Sequence, residues 1–302
     1  MPEVDTAARS ETAAHLEISA PRPGADWSFS GVSFHAECAQ RGVVSGAQSL
    51  FQQWRTGLPI VVRKAWQIEP VGNQWSVIDA GTGTEISRAR SEPVALAHLE
   101  THSITALIEG PGTPPSLHAC IVVRPDGAAI ACVGRCGSGK STLALTLWHH
   151  AGWHLACDDV ALIDSEPGFV LPVPRRVSAR SSSRALLGEA CWERIQGSPH
   201  CIPTVEGFLF HPAAAPVVPV AARLSAIFLL ERLEGTAAPG RTKPVAPADA
   251  VLALAPYGSA RLRDGLGGGI RAVAPLADAV PVYELGRGEP LEMIRSINAV
   301  LP

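Results

Sequence analysis

The chain has 302 residues, 46% hydrophobic and 18% charged, so it can fill the core of one large domain or two modest ones. Its formal net charge of -3 gives no basic field for nucleic acid, and no apolar run reaches membrane-spanning length. The seven cysteines are odd in number, scattered and without a C-x-x-C pair. They argue against a disulfide framework or a zinc site and predict a cytoplasmic location.

The first 112 residues predict a flexible N-terminus followed by a small α+β lobe. Residues 1–25 are polar and alanine-rich and lack the apolar centre of a signal peptide, so we expect them to be mobile. The predicted strands span 27–34, 59–66 and 75–79, and the predicted helices span 46–54 and 92–109. Ser91 is the expected N-cap of the second helix, and Gly110 its stop. Four tryptophans are predicted to be core residues: Trp27, Trp54, Trp66 and Trp75.

The proline- and glycine-rich segment 111–115 is the candidate domain boundary. It separates the N-terminal lobe, 26–112, from a predicted mixed α/β domain at 113–302. In that domain strands are predicted at 117–123, 128–133, 153–164, 169–173, 224–230 and 279–285. Helices are predicted at 141–148, 185–195, 248–254 and 290–301, and loops at 174–184, 198–219, 234–244 and 265–269.

A nucleotide-binding motif lies between the second strand of this domain and its first helix. The sequence fits G-x-x-x-x-G-K-[ST], with Gly134, Gly137, Ser138, Gly139, Lys140, Ser141 and Thr142 as the expected binding residues. Such glycines let backbone N–H groups turn toward a phosphate, and the helix N-terminus adds positive partial charge. Lys140 would reach the outer phosphates and Ser141 would help hold Mg²⁺, so the motif predicts a phosphate donor with Mg²⁺. ATP is the expected donor, and GTP and pyrophosphate are the alternatives.

Two adjacent acids, Asp158 and Asp159, fall in the middle of the next predicted strand. Adjacent carboxylates in an apolar strand are costly unless they meet a cation or a proton. On a strand they would point to opposite faces, so one could face the phosphate site while the other contacts structure or metal. A solvated turn is the alternative interpretation, and the apolar flanks favour a functional pair.

His118 with its apolar strand, the glycine-rich motif and the acid pair together resemble the HPr kinase/phosphorylase family. They look most similar to its shorter serine-kinase relatives from peptide-modification gene clusters, including lasso-peptide kinases. The resemblance covers roughly residues 117 to 164, and the combination is more specific than the glycine motif alone. It implies a P-loop kinase domain of the HPr kinase type, with a mixed sheet flanked by helices and a smaller N-terminal α+β lobe.

The resemblance also implies roles for individual residues. Asp158 matches the general base for an acceptor hydroxyl, Asp159 its metal-supporting partner, and His118 a site histidine near the phosphates. For His118 alone, an ordinary strand-start histidine is equally compatible with the sequence. Glu206 stands where the family has a metal-linked glutamate, although the surrounding residues match poorly. We also expect one of Arg175 and Arg176 to clamp a phosphoryl group, although a solvated surface is equally compatible with this basic stretch.

These observations predict an ATP- and Mg²⁺-dependent kinase for a Ser or Thr hydroxyl of a peptide or small protein. The protein-acceptor signature of the sugar-transport enzymes is not recognisable, so HPr itself is not the expected substrate. A kinase for a free small molecule and a non-catalytic nucleotide switch are the two alternatives. The N-terminal lobe is a candidate for peptide recognition, and self-association into a homo-oligomer is compatible with the resemblance. No nucleic-acid or membrane partner is expected.

Overall fold

The computed structural model describes residues 22–30, 32–51, 54, 62–110, 113–198, 201–212, 221–230 and 238–302. Within these ranges the chain is a mixed α/β protein, as predicted. Most of the predicted mobile segment 1–25 lies outside the described residues, but Gly24 and Ala25 already belong to the first strand. No helix in the described ranges is both long and apolar enough to cross a bilayer.

The N-terminal lobe is a five-stranded sheet with two helices packed on it, counted over its described residues. Its elements are β1 (Gly24–Phe29), β2 (Val32–Glu37), α1 (Arg41–Leu50), β3 (Val62–Val71), β4 (Gln74–Asp79), β5 (Thr84–Ala89) and α2 (Glu92–Glu109). The strands follow one another in chain order across the sheet. Strands β2 and β3 run parallel, and the other neighbouring pairs are antiparallel.

Several predictions for this lobe need correction. The predicted strand 27–34 is a hairpin of β1 and β2, because Ser30 adopts φ +46° and the chain reverses there. The predicted helix 46–54 begins earlier, at Arg41, and ends at Leu50. The predicted strand 59–66 starts at Val62 among the described residues and continues to Val71. Helix α2 has the predicted bounds, although the Ser91 side chain makes no capping hydrogen bond.

Stacked aromatic rings fill the core of the N-terminal lobe. The Trp27 ring lies on Phe51 with centroids 4.1 Å apart and an interplanar angle of 3°. Trp66 and Phe34 continue the stack, while Trp54 meets the Phe51 ring edge-on. Large aromatic rings bury much apolar area each, so this cluster supplies much of the lobe's stability. Three of the predicted core tryptophans are buried as expected, and Trp75 packs against the cluster in a partly buried position.

The second half of the chain forms a larger mixed sheet, a small three-stranded sheet and the remaining helices. Its strands are β6 (Ser116–Leu117), β7 (Ala119–Val123), β8 (Ala129–Val133), β9 (His154–Cys157), β10 (Ala161–Ile163), β11 (Phe169–Pro172), β12 (Val177–Arg180), β13 (Ile202–Pro203), β14 (Gly207–Phe210), β15 (Ala222–Leu229), β16 (Thr242–Pro244) and β17 (Val282–Leu285). Its helices are α3 (Lys140–His150), α4 (Arg184–Leu187), α5 (Glu189–Gln196), α6 (Pro247–Leu254), α7 (Ala260–Ala279) and α8 (Pro290–Val300).

Strand β8 lies inside the large sheet, between β15 and β7. Strands β15 and β17 run parallel to β8, whereas β7 pairs antiparallel with both β8 and β9. Apolar side chains of α3 and α8 share a buried cluster with one face of the sheet, which α5 and the small sheet extend, and those of α6 and α7 share another cluster with the opposite face. All five residues of β8 are fully buried, as the predicted apolar strand requires. The predicted β7–β8 hairpin is confirmed, with Gly127 at φ +94° in its turn.

The prediction of one continuous strand over 153–164 is wrong. The segment consists of two strands, β9 and β10, which pair with different neighbours in the sheet. The break falls at Asp158 and Asp159, and Asp159 adopts φ +70°, which a strand cannot contain. The acid pair therefore lies in a bend between strands, and the argument that its side chains point to opposite strand faces does not apply.

Four other segments differ from their predictions. The predicted loop 265–269 lies inside α7, which kinks at Asp264 and Gly265. The predicted helix 185–195 is two helices, because Gly188 adopts φ +79° between them. The predicted loop 174–184 contains β12, and the described part of 198–219 contains β13 and β14, which complete the small sheet.

The two halves of the chain share part of their packing. Val160, Leu162 and Val173, all beyond the candidate boundary, are buried in the core cluster of the N-terminal lobe. The indole Nε1 of Trp54 also donates a hydrogen bond of 2.6 Å to the carbonyl oxygen of Pro174. The segments on either side of the acid pair are therefore tied to the N-terminal lobe.

Candidate active site

The glycine-rich loop (residues 134–139) connects the buried strand β8 to the start of α3, in the order that the sequence predicts. Gly137 and Gly139 adopt φ of +80° and +102°, a left-handed region in which side chains with a Cβ are strained. At Gly134 the need for glycine is steric, because a Cβ there would lie 2.6 Å from the Ser138 hydroxyl. Substitution at any of these glycines would therefore deform the loop.

Lys140 is the first residue of α3 and is only 5% exposed. Its ammonium donates to the carbonyl oxygens of Gly134 and Arg135, at 2.7 Å and 3.2 Å. These bonds hold the side chain back across the loop, over the N-terminus of α3. The combination of a cation, loop N–H groups and a helix N-terminus is suited to binding phosphate oxygens.

Asp158 is 1% exposed and is held by three donors. The Ser141 hydroxyl donates at 3.0 Å, the Cys120 thiol at 2.6 Å, and the backbone N–H of Ser178 at 3.3 Å. Burial raises the pKa of Asp158, and the adjacent Asp159 charge raises it further, while the Cys120 hydrogen bond opposes the shift. Carboxylate and hydroxyl oxygens so close together form a donor pair that Mg²⁺ accepts.

Asp159 has a different environment, although it is the next residue. Its side chain is 35% exposed, with Arg175 Nη1 3.5 Å from one carboxylate oxygen and His118 Nδ1 3.8 Å from the other. A positive φ on a residue with a Cβ costs about 1 kcal/mol and persists where the surroundings enforce it. The bend thus buries one carboxylate beside Ser141 and leaves the next one accessible.

His118 lies between β6 and β7, where its backbone N–H donates to the Tyr257 carbonyl. Its Nδ1 donates to the carbonyl oxygen of Asp159 at 3.1 Å, which leaves Nε2 without a proton in the neutral ring. Burial lowers the pKa of His118, and the charge of Lys140 lowers it further, whereas Asp159 raises it. The imidazole is therefore neutral near pH 7 and can accept a proton or a hydrogen bond.

These side chains line one cavity of about 210 Å³. The predicted residues in its wall are His118, Gly137, Gly139, Lys140, Ser141, Thr142, Asp158 and Asp159. A second cavity of about 280 Å³ shares the loop glycines, Thr142 and the turn 182–183 with the first. Its other walls are largely apolar and include Leu143, Leu186, Leu230, Pro290 and Met293, together with the polar Thr146 and Arg287. The glycine-rich loop is therefore bordered by a polar cavity and by a more apolar one.

Two predicted site residues lie elsewhere. Arg176 is 2% exposed and pairs with Glu100 of the N-terminal lobe at 3.0 Å, so it does not reach the cavity. Glu206 has a 74% exposed side chain that pairs with Arg180 at 3.4 Å, and it does not line the cavity wall. Of the predicted arginine pair, only Arg175 reaches the acids.

Sequence reasoning missed several residues of the cavity region, among them Cys120, Ser178 and Arg180. Cys120 lies on β7, two positions after His118, within the apolar segment that the sequence predicted as a strand. Burial and the Asp158 charge raise the pKa of Cys120 well above its usual value, so the thiol keeps its proton and acts as a donor. Ser178 and Arg180 lie on β12, a strand that the serine-rich sequence did not predict.

Comparisons with known proteins add little to this geometry. No family model matches the chain, and no curated protein matches its sequence. Among solved structures, the HPr(Ser) kinase/phosphatase from Coxiella burnetii matches with a TM-score of 0.30 and 15% sequence identity. The match covers 61% of this chain and 94% of that one. A likeness of this size carries no argument about activity, so function has to be argued from the site.

Proposed function

We propose that the protein is a nucleotide-dependent phosphotransferase of the HPr kinase type, which transfers the γ-phosphoryl group of ATP to a hydroxyl. One observation carries the proposal. The Ser141 hydroxyl, at the start of the helix behind the glycine-rich loop, bonds to the buried Asp158 at 3.0 Å, while Asp159 opens into the same cavity. Phosphoryl transfer needs phosphate binding, charge neutralisation and a base near the acceptor, and these three elements are adjacent here.

The donor phosphates fit the loop side of the cavity. Backbone N–H groups of the loop and the ammonium of Lys140 would bind the β- and γ-phosphates. Ser141 and Asp158 together offer the oxygen ligands that suit Mg²⁺, which would neutralise charge on the phosphates when bound. Glu206 is not needed for this set, because its exposed side chain pairs with Arg180 instead.

The geometry favours a division of labour between the acids that reverses the one implied by the family resemblance. Asp158 is buried against Ser141, so it fits the metal side, whereas the more exposed Asp159 fits the acceptor side. In the proposed reaction the acceptor oxygen forms a bond to the γ-phosphorus, and the bond from that phosphorus to the β–γ bridging oxygen breaks. The hydroxyl proton passes to the Asp159 carboxylate, and the nucleoside diphosphate leaves.

The second cavity supports a nucleoside triphosphate as donor in preference to pyrophosphate. It lies directly beyond the loop and has apolar side chains against which a purine ring could pack, including Leu186 and Met293. ATP is the proposed donor because the family resemblance implies it.

The acceptor we propose is a Ser or Thr hydroxyl on a peptide or small protein, such as a lasso-peptide precursor. Support for it comes from the resemblance carried by His118, the loop and the acid pair. The test incubates the full chain with Mg-ATP and, separately, peptides containing Ser or Thr and a panel of free amino acids, sugars and nucleosides. Mass spectrometry should find one added phosphate group on a peptide hydroxyl.

A matched pair of variants makes that assay specific. Lys140→Ala removes the cation of the loop and should abolish product, whereas Asp126→Asn alters an exposed acid in the β7–β8 turn and should not. Phosphorylation of small molecules alone would overturn the peptide acceptor. Tight ATP binding without transfer to any acceptor would overturn the kinase and favour a nucleotide switch.

A further inference from the structure

The connector (residues 173–176), which joins β11 to β12, presents neighbouring arginines to two different parts of the molecule. Arg175 reaches the Asp159 carboxylate at 3.5 Å, at the edge of the polar cavity. Arg176, the next residue, turns into the N-terminal lobe and is buried there. The position of one arginine therefore depends on how the other is held.

Glu100 accepts hydrogen bonds from both the side chain and the main chain of Arg176. Its Nε donates to Glu100 Oε2 at 3.0 Å, and its backbone N–H donates to Glu100 Oε1 at 2.9 Å. Glu100 is on α2, and both side chains are at most 4% exposed. A carboxylate that binds the backbone N–H of residue 176 fixes the peptide unit immediately after Arg175. A hydrogen bond to a charged group in such a dry setting is strong.

Two further contacts tie the same connector to the N-terminal lobe. Trp54, in the aromatic cluster of the lobe, donates to the Pro174 carbonyl at 2.6 Å. Val173 donates its N–H to the carbonyl of Val160 at 3.1 Å, and both valine side chains are buried in the lobe's core. Val160 directly follows Asp159, so the lobe packs against both sides of the Arg175–Asp159 contact.

We propose that Glu100 is a positioning residue: through the main chain of Arg176 it sets Arg175 against Asp159, so the N-terminal lobe completes the active site. The proposal rests on the phosphotransferase function proposed above. It gives the lobe a role separate from peptide recognition. Arg175 would orient the carboxylate of Asp159 toward the acceptor, because its guanidinium lies 3.5 Å from one carboxylate oxygen.

The test replaces the buried pair in the full chain by Glu100→Met with Arg176→Met. Well-packed apolar residues in place of a buried ion pair often preserve the fold, whereas removing one partner alone leaves a buried charge. The double variant should lower kcat for Mg-ATP turnover by about 10- to 100-fold, since small misplacements of site groups cost that much. KM for ATP should not change, because the glycine-rich loop and Lys140 are untouched.

Non-additivity with Arg175→Ala separates positioning from general destabilisation. Arg175→Ala should lower kcat to a similar extent, and combining all three changes should lower it no further. Ile68→Val, a change in the same lobe's core on β3, serves as the control and should leave kcat unchanged. If the fold-loss of kcat in the triple variant equals the product of the losses in the double variant and in Arg175→Ala, the proposal is overturned.

A readout that needs no turnover distinguishes failure of this inference from failure of the proposed function. Amide hydrogen exchange over residues 158–160 and 173–180 should accelerate in the double variant, while β8 and α3 stay unchanged. If the double variant does not fold, Trp54→Phe keeps an aromatic ring, removes the donor to Pro174 and should give the same local acceleration. Unchanged exchange in these segments overturns the inference whether or not the wild-type chain turns over ATP.

Discussion

At the scale of single residues, the site depends on two neighbouring carboxylates with unlike surroundings. Asp158 is buried and accepts hydrogen bonds from Ser141, Cys120 and Ser178, whereas Asp159 is partly exposed beside His118 and Arg175. Acids with contrasting environments can take different chemical roles in one reaction. The sequence predicted that this pair was functional but not which acid faces which group, because the φ of Asp159 is set by packing from distant segments.

The division of labour predicts different defects for the two asparagine variants. Asp158→Asn should raise the Mg²⁺ concentration needed for half-maximal activity, by about 10- to 100-fold, because it weakens a metal-side carboxylate. Asp159→Asn should leave that concentration unchanged and lower kcat by about 10²- to 10⁴-fold, the usual contribution of a general base. Magnesium titrations of ATP turnover distinguish the two, and the opposite pattern would restore Asp158 as the base.

The lowered pKa of His118 predicts how the free energy of unfolding changes with pH. The pKa of this residue in the folded chain is lowered by burial, below the value of about 6.5 that it has when unfolded. Its favourable contribution is therefore complete above about pH 6.5 and is lost as pH falls through the lower folded pKa. Compared with His118→Gln, the wild-type chain should lose more unfolding free energy between about pH 7.5 and pH 5 in urea titrations. Parallel pH profiles for the two proteins would show that the histidine pKa is not lowered.

At the scale of helices and strands, the sequence predicted the structure best where interactions between nearby residues determine it. Helix α2 has its predicted bounds, and β8, the glycine-rich loop and α3 follow in the predicted order. The sequence predicted the secondary structure worst where pairing between distant segments determines which of them form strands. Strand β12 has only four residues, VSAR, within a basic and serine-rich segment, so its alternation of buried and less buried residues is too short to identify a strand, and it pairs with β14. Adjacent Arg175 and Arg176 could not be told apart, because only the fold determines which of the two meets Asp159 and which meets Glu100.

Helix α7 explains a glycine run that composition alone predicted to be flexible. Gly268 and Gly269 are buried, and a Cβ on Gly269 would lie 2.5 Å from the Ala255 carbonyl oxygen. Gly269→Ala should therefore destabilise the chain by about 1–3 kcal/mol, the usual cost of overpacking. At Gly267 a Cβ would meet only the end of the Arg271 side chain, at 3.7 Å, so Gly267→Ala should be neutral or stabilise by about 0.5 kcal/mol. Denaturant unfolding of both variants tests the packing, and equal effects would contradict it.

At the scale of the whole molecule, the two halves of the described chain are coupled by more than covalent connection. The N-terminal core includes Val160 and Val173, which flank the site, and a buried ion pair joins Glu100 to Arg176. The domain boundary predicted at the proline-rich segment 111–115 gives no sign of this coupling, because the contacts join residues far apart in the chain. The consequence is that the lobe and the site should fold as one unit.

That coupling predicts a single thermal transition for the full chain. Fluorescence of the tryptophans, several of which lie in the N-terminal core, should change at the same midpoint as the far-ultraviolet circular dichroism. Saturating Mg-ATP should raise both midpoints together, because ligand that binds the native state stabilises the whole cooperative unit. Two separate transitions, with only one shifted by nucleotide, would show that the lobes unfold independently.

The central claim is that the glycine-rich loop and the acid pair form one site for phosphoryl transfer. It is tested most directly by following γ-labelled ATP with the full chain, Mg²⁺ and the peptide panel, in the wild type and in Asp159→Asn. The account predicts a phosphorylated hydroxyl product and ADP from the wild type. From the variant it predicts unchanged ADP affinity and transfer slower by about 10²-fold or more. Transfer by Asp159→Asn at the wild-type rate, or no labelled product from the wild type with any acceptor, would contradict it.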